Sequence, residues 1–105
     1  MENEVKNGRY EDKYGDVHWY KDGQLHREDG PAVEYEDGEV QWYKDGQLHR
    51  DDGPAIEYAY GYKEWWLNGV LHTEKKFNQW LAKKKLNENF HQTPEEKQSI
   101  KKAKI

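Results

Sequence analysis

Trp19, Trp42 and Trp65 stand 23 residues apart, and the same step relates Gly23, Gly46 and Gly69, then Leu25, Leu48 and Leu71, then His26, His49 and His72. A fixed period of this length means one supersecondary unit used again and again, each copy stacking on the last. The connecting segments keep the step through Gly15, Gly38 and Gly61, Val17 and Val40, Gly30 and Gly53, and Pro31 and Pro54. From about Gly8 the N-terminus reads as a degraded half-copy, because Tyr10 falls where Val33 and Ile56 sit. End copies of a stack must differ, since one of their faces has no neighbour.

Within a copy, the stretch AVEYEDGEVQWYKDGQLH sets two Asp-Gly pairs between alternating aromatic and β-branched residues, the strongest local signal for hairpins. A two-residue turn at Asp37-Gly38 would pair Tyr35 with Val40 and Val33 with Trp42, collecting four apolar groups on one face. At Asp22-Gly23 the same two-residue turn would set Leu25 beside Tyr20, but a three-residue loop is favoured. It sets Leu25 beside Trp19, brings His18 toward His26, and keeps Val17, Trp19, Leu25, Val33 and Tyr35 together. REDGPA and RDDGPA then form the wider turn that opens the next copy, with proline where no ladder donor is needed.

After His72 the period changes. TEKKFNQWLAKKKLNENF has helical spacing at Phe77, Trp80 and Leu81 with Thr73 as N-cap, and the helix is expected to lay that stripe on the sheet. TPEEKQSIKKAKI opens a second short helix with Thr93, Pro94 and Glu96. The expected fold is therefore mainly β with C-terminal α: an antiparallel meander of 23-residue hairpin repeats capped by one or two helices. Residues 1–90 form the repeat domain with its helix, and residues 91–105 a basic tail.

The WYKDGQLHREDGPAVEY pattern resembles the MORN-like β-hairpin repeats of phage, giant-virus and bacterial proteins. The resemblance runs from about Gly8 to Leu81 and rests on NG or DG, LH and DGPA at constant period. It implies a hairpin sheet, a viral or mobile-element origin and a scaffold or binding role, and it brings no catalytic residue with it. The third copy departs from the pattern, HTEKKF replacing HREDGPA, so the sheet should end there.

Composition narrows the function. A mean hydropathy of -1.44 and a hydrophobic fraction of 33 % would suit a disordered chain, but five Trp, eight Tyr and two Phe give a thin core enough area to bury. The absence of cysteine fits a reducing compartment, and no apolar run reaches the ~20 residues of a membrane span. MENEVKNGRY also lacks the apolar core of a signal peptide, so a cytoplasmic protein is expected, in the host cell if viral. Residues at equal repeat positions stand roughly 10 Å or more apart and cannot converge on one metal. No metal, cofactor or catalytic group is therefore expected: the only Ser is Ser99, and Glu34 and Glu57 form a ladder rather than one asymmetric site. Asp29 and Asp52 read as turn caps, and the three histidines as groups bonding turn backbone or a neighbouring acid.

Two features point to binding. Tyr20, Tyr43 and Trp66 are expected on one sheet face with His18, Gln41, Glu34, Glu57 and Glu64, and exposed aromatics suit recognition. Residues 1–72 carry 8 basic and 17 acidic groups, net -9, against 9 and 4, net +5, in residues 73–105. The expectation is a non-enzymatic, phage-encoded protein whose acidic aromatic face binds and inhibits a host defence or nucleic-acid-handling protein. Tyr20, Tyr43, Trp66, Glu34, Glu57, Asp51 and Asp52 form the partner site. The partner presents a basic or nucleic-acid-binding surface, while direct nucleic-acid or membrane contact is not expected. The alternatives are a protein that sequesters a small ligand or nucleotide, and a self-assembling structural protein joined through its edge strands.

Overall fold

The structure, a computed structural model, describes residues 4 to 90. It is mainly β. Strands β1 (Gly8–Glu11), β2 (Val17–Lys21), β3 (Gln24–Leu25), β4 (Val33–Glu34), β5 (Val40–Gln41), β6 (Tyr43–Lys44), β7 (Gln47–Leu48), β8 (Ile56–Glu57), β9 (Lys63–Leu67) and β10 (Val70–His72) precede helix α1 (Glu74–Phe90). The sheet runs β1-β2-β4-β5-β8-β9-β10 as an antiparallel meander, with β3 added to β2 and a separate β6-β7 hairpin. The chain divides into two compact units between Glu74 and Lys75.

Each long strand serves two short ones along one edge. Trp19 donates its N–H to the Ala32 carbonyl at 2.7 Å and accepts the His26 N–H at 3.0 Å, so both of its bonding groups face the same side. β3 and β4 therefore line up end to end on β2, and the residues between them loop out. Trp42 does the same with Ala55 (2.7 Å) and His49 (3.0 Å), which makes β5 and β6 one line interrupted only in name.

Both predicted registers are displaced by one residue, in opposite senses. The Asp22-Gly23 connection is a two-residue turn: Tyr20, not Trp19, faces Leu25, and Lys21 faces Gln24. Asp22 and Gly23 have φ of 52° and 82°, the doubly left-handed pair of a type I′ turn. Asp45-Gly46 and Asn68-Gly69 share that geometry. The Asp37-Gly38 connection instead loops out three residues. Val33 faces Gln41 rather than Trp42, Glu34 faces Val40, and the Tyr35 N–H reaches the Glu39 carbonyl at 2.8 Å. Asp37 is held out of the left-handed region while its own carboxylate accepts the Glu39 N–H at 2.9 Å, an Asx-type closure.

A one-residue slip exchanges faces. Val33 thus shares a side with His18, Tyr20, Gln41, Tyr43, Ile56, Glu64 and Trp66, while Val17, Trp19, Glu34, Val40, Trp42 and Glu57 lie on the other. The buried core draws on both: Val33 and Ile56 from the first, Val17 from the second, with Ala32, Ala55 and Leu67. His18 and His26 end on opposite faces, so the pair expected from the longer loop does not form.

Helix α1 begins directly after Thr73, where the sequence placed the cap. Phe77 is buried and Trp80 and Leu81 are half-buried, so the expected stripe exists, and the Phe77 and Trp80 rings lie 5.7 Å apart. The second helix expected from Thr93, and the basic tail of residues 91–105, lie outside the described residues.

Candidate functional site

The two long loops, 26–32 and 49–55, are stations of charge built alike. In the first, Arg27 lays its guanidinium over the Trp19 ring at 4.2 Å and donates through Nε to Asp29 (3.0 Å) and through Nη1 to the Pro31 carbonyl (3.2 Å) and Glu34 (3.4 Å). In the second, Arg50 covers Trp42 at 3.9 Å and reaches Asp52 (2.8 Å), the Pro54 carbonyl (3.2 Å) and Glu57 (3.3 Å). The packing leaves no space at Gly30, where an added Cβ would fall 2.9 Å from Arg27 Cζ.

The histidines alternate with the arginines. His26 Nδ1 accepts the Asp45 backbone N–H at 2.9 Å, while Nε2 bonds Glu28 at 2.7 Å. His49 takes the Asn68 N–H at 2.9 Å and bonds Asp51. Nδ1 must be bare to accept, so the proton sits on Nε2 and points at the carboxylate. The expectation that these imidazoles bond turn backbone and a neighbouring acid holds for both. The capping role expected of Asp29 and Asp52 is not seen among the described residues: each carboxylate accepts from an arginine Nε and from no backbone N–H.

The proposed partner residues do not share one surface. Tyr20, Tyr43 and Trp66 lie together on the Val33 side and are half-buried. Glu34 and Glu57 lie on the opposite side, answered by Arg27 and Arg50. Asp51 and Asp52 belong to the second loop and are matched by His49 and Arg50. A cleft of about 230 Å³ between the loops is lined by Arg27, Glu28, Trp42, Lys44, His49, Arg50 and Asp51 among others, with both signs of charge represented.

The exposed aromatic surface is elsewhere. Three turns, residues 12–16, 35–39 and 58–62, stand side by side at one end of the meander. The Glu36 N–H bonds Asp16 Oδ1 at 2.8 Å, and an added Cβ on Gly38 would lie 3.9 Å from the Ala59 Cβ. From this row project Tyr14 (68 % exposed), Tyr60 (79 %) and Tyr62 (57 %), among Asp12, Glu36 and Asp37. Tyr58 anchors the last turn, its ring stacked on Tyr60 at 5.5 Å and 5.7 Å from Tyr62. Burial first, then the Glu64 carboxylate, holds the Tyr58 phenol above its usual range. Tyr35 is raised by burial and then by Glu39, Asp16 and Asp37, and Tyr43 by burial, Tyr35 and Glu39. All three shifts favour the neutral phenol. The Tyr43 hydroxyl donates a hydrogen bond to Gln41 Oε1 at 3.1 Å.

Sequence reasoning passed over Tyr14, Tyr60 and Tyr62. The signal was present: one residue before the turn glycine the chain reads Tyr14, Asp37 and Tyr60, and one residue after it Asp16, Glu39 and Tyr62. Among the described residues no group of three His, Asp or Glu side chains is placed to hold a metal ion. No helix there is long and apolar enough to cross a membrane. No protein-family model, curated protein or solved structure matches the chain.

Proposed function

We propose that this chain is a non-enzymatic binding protein of the MORN-like hairpin-repeat kind, phage-encoded, that engages and inhibits a basic host protein. The observation carrying this reading is the turn row, where Tyr14, Tyr60 and Tyr62 stand exposed beside Asp12, Glu36 and Asp37. Tyrosine contributes a large contact area at low entropic cost, and carboxylates beside it favour a cationic partner. Lys13, 5.3 Å from the Tyr14 ring centroid, shows a cation already seated on one of these rings. The row also takes over from the set headed by Tyr20, Tyr43 and Trp66, whose acidic members are ion-paired with Arg27, His49 and Arg50. The resemblance supplies the viral origin.

The test is capture of proteins from a bacterial lysate by the wild type and by a Tyr14→Ala, Tyr60→Ala, Tyr62→Ala triple variant. A specific partner lost in the variant, with its circular dichroism unchanged, supports the reading. Equal capture by both rejects the turn row.

A further inference from the structure

Strand β9 lacks a neighbour along half of one edge. β2 carries β3 and β4 on a single edge, and the line of β5, Trp42 and β6 carries β8 and β7 in the same way. On β9 that edge holds β10 against Trp65, Trp66 and Leu67, and among the described residues nothing pairs there with Lys63. Trp19 and Trp42 donate their N–H groups to Ala32 and Ala55, whereas Trp65 stands opposite His72 at a bonded position of the β9–β10 ladder, so the open stretch begins beyond it. Glu64 turns its carbonyl to Ala55 on the opposite edge (2.8 Å), so ladder alternation turns both bonding groups of Lys63 to the edge that carries β10. Two backbone groups thus face one slot. A groove of about 400 Å³ lies beside it, lined by Tyr62, Lys63, Trp65 and His72 among others.

We propose that this slot receives β1 of a second copy of the chain in a head-to-tail contact. β1 is the equivalent of β4 and β8, since the pairs Tyr10–His18, Val33–Gln41 and Ile56–Glu64 are each displaced by 23 residues on both sides. Among the described residues it pairs only with β2, so its other edge corresponds to the one β4 lays on β2 and β8 lays on β5. Within the chain those contacts oppose Glu34 to Val17 and Glu57 to Val40. The same register between copies opposes Glu11 to Lys63, a pair of opposite charges. Trp19 and Trp42 each carry an arginine, whereas the corresponding step from Trp65 reaches Thr73.

The N-terminal segment restrains the contact. Asn7 Oδ1 accepts the Asp22 N–H at 2.8 Å and the Lys6 carbonyl accepts that of Gly23 at 2.9 Å. These are the roles His26 Nδ1 and the Leu25 carbonyl play for Asp45 and Gly46. Residues 4–7 therefore occupy the ground that β10 of the first copy must take. They peel back on docking, His72 Nδ1 gives up its bond to the Val70 carbonyl (2.9 Å), and His72 Nδ1 and the Leu71 carbonyl take over the two N–H groups. A contact between different surfaces does not close on itself in pairs, so it lengthens with concentration.

Sedimentation velocity of the full chain over a wide concentration range tests this, independently of the turn row, which the variants leave untouched. Association that rises with concentration is expected. Lys63→Glu and Glu11→Lys should each weaken it several-fold, the double variant should restore it, and Asn7→Ala should strengthen it. Monomers at every concentration for both the wild type and Asn7→Ala would overturn the proposal, as would association that the charge exchange fails to rescue.

Discussion

Nδ1 of His26 accepts the backbone N–H of Asp45 at 2.9 Å across 19 residues of chain, and His49 holds Asn68 by the same bond. Each acceptor fixes the first residue of the next type I′ turn. A side chain of one hairpin thereby sets the register of its successor.

Replacing His26 by Ala removes the acceptor of the Asp45 N–H and the partner of Glu28 from a site where the imidazole is only 7 % exposed. The loss of stability should be about 1–3 kcal/mol, as for a donor stripped of its buried acceptor. Urea unfolding measures it, and a midpoint equal to that of wild type would show that the bond contributes nothing.

Arg50→Lys keeps the charge but loses the planar fork. The lysine cannot cover Trp42 while reaching Asp52, the Pro54 carbonyl and Glu57 together. About 1–2 kcal/mol of stability should be lost, from the stacking and the charge-assisted bonds together. Salt should recover little of the difference, since the stacking is not screened as surface ion pairs are.

Alkali should weaken the fold through its half-buried phenols. Tyr35, Tyr43 and Tyr58 have pKa values raised above 10.0, so the unfolded chain releases these protons first as pH rises. Their contribution is complete below the unfolded value and disappears as pH climbs through the folded ones. Tyr43→Phe should cost about 1 kcal/mol at neutral pH through the lost Gln41 bond. That deficit should shrink above pH 10.0. Urea midpoints taken from neutral to strongly alkaline pH would show two curves drawing together, and parallel curves would contradict this account.

The meander and its turns were legible because Asp-Gly and Asn-Gly pairs, proline and alternating aromatics act locally. Thr73 and the Phe77, Trp80, Leu81 spacing marked the helix for the same reason. The site was harder to read. Charge counting treats Glu34, Glu57 and Asp52 as free acids, whereas each meets an arginine that is distant in composition but close in the folded loop. The tyrosines of the turn row were hidden by attention to the positions that repeat, although what distinguishes them is that they break the pattern.

Sequence alone determined where the chain turns and which segments pair, since backbone preferences and hydrophobic alternation are properties of a few neighbouring residues. Tertiary structure decided the register at each turn. Asp-Gly can close a loop of two residues or three at similar cost, and the acceptor present selects between them: a histidine ring or Asn7 brought from elsewhere for the short turns, the turn's own Asp37 carboxylate for the long one. That choice of one residue assigns every later side chain to its face.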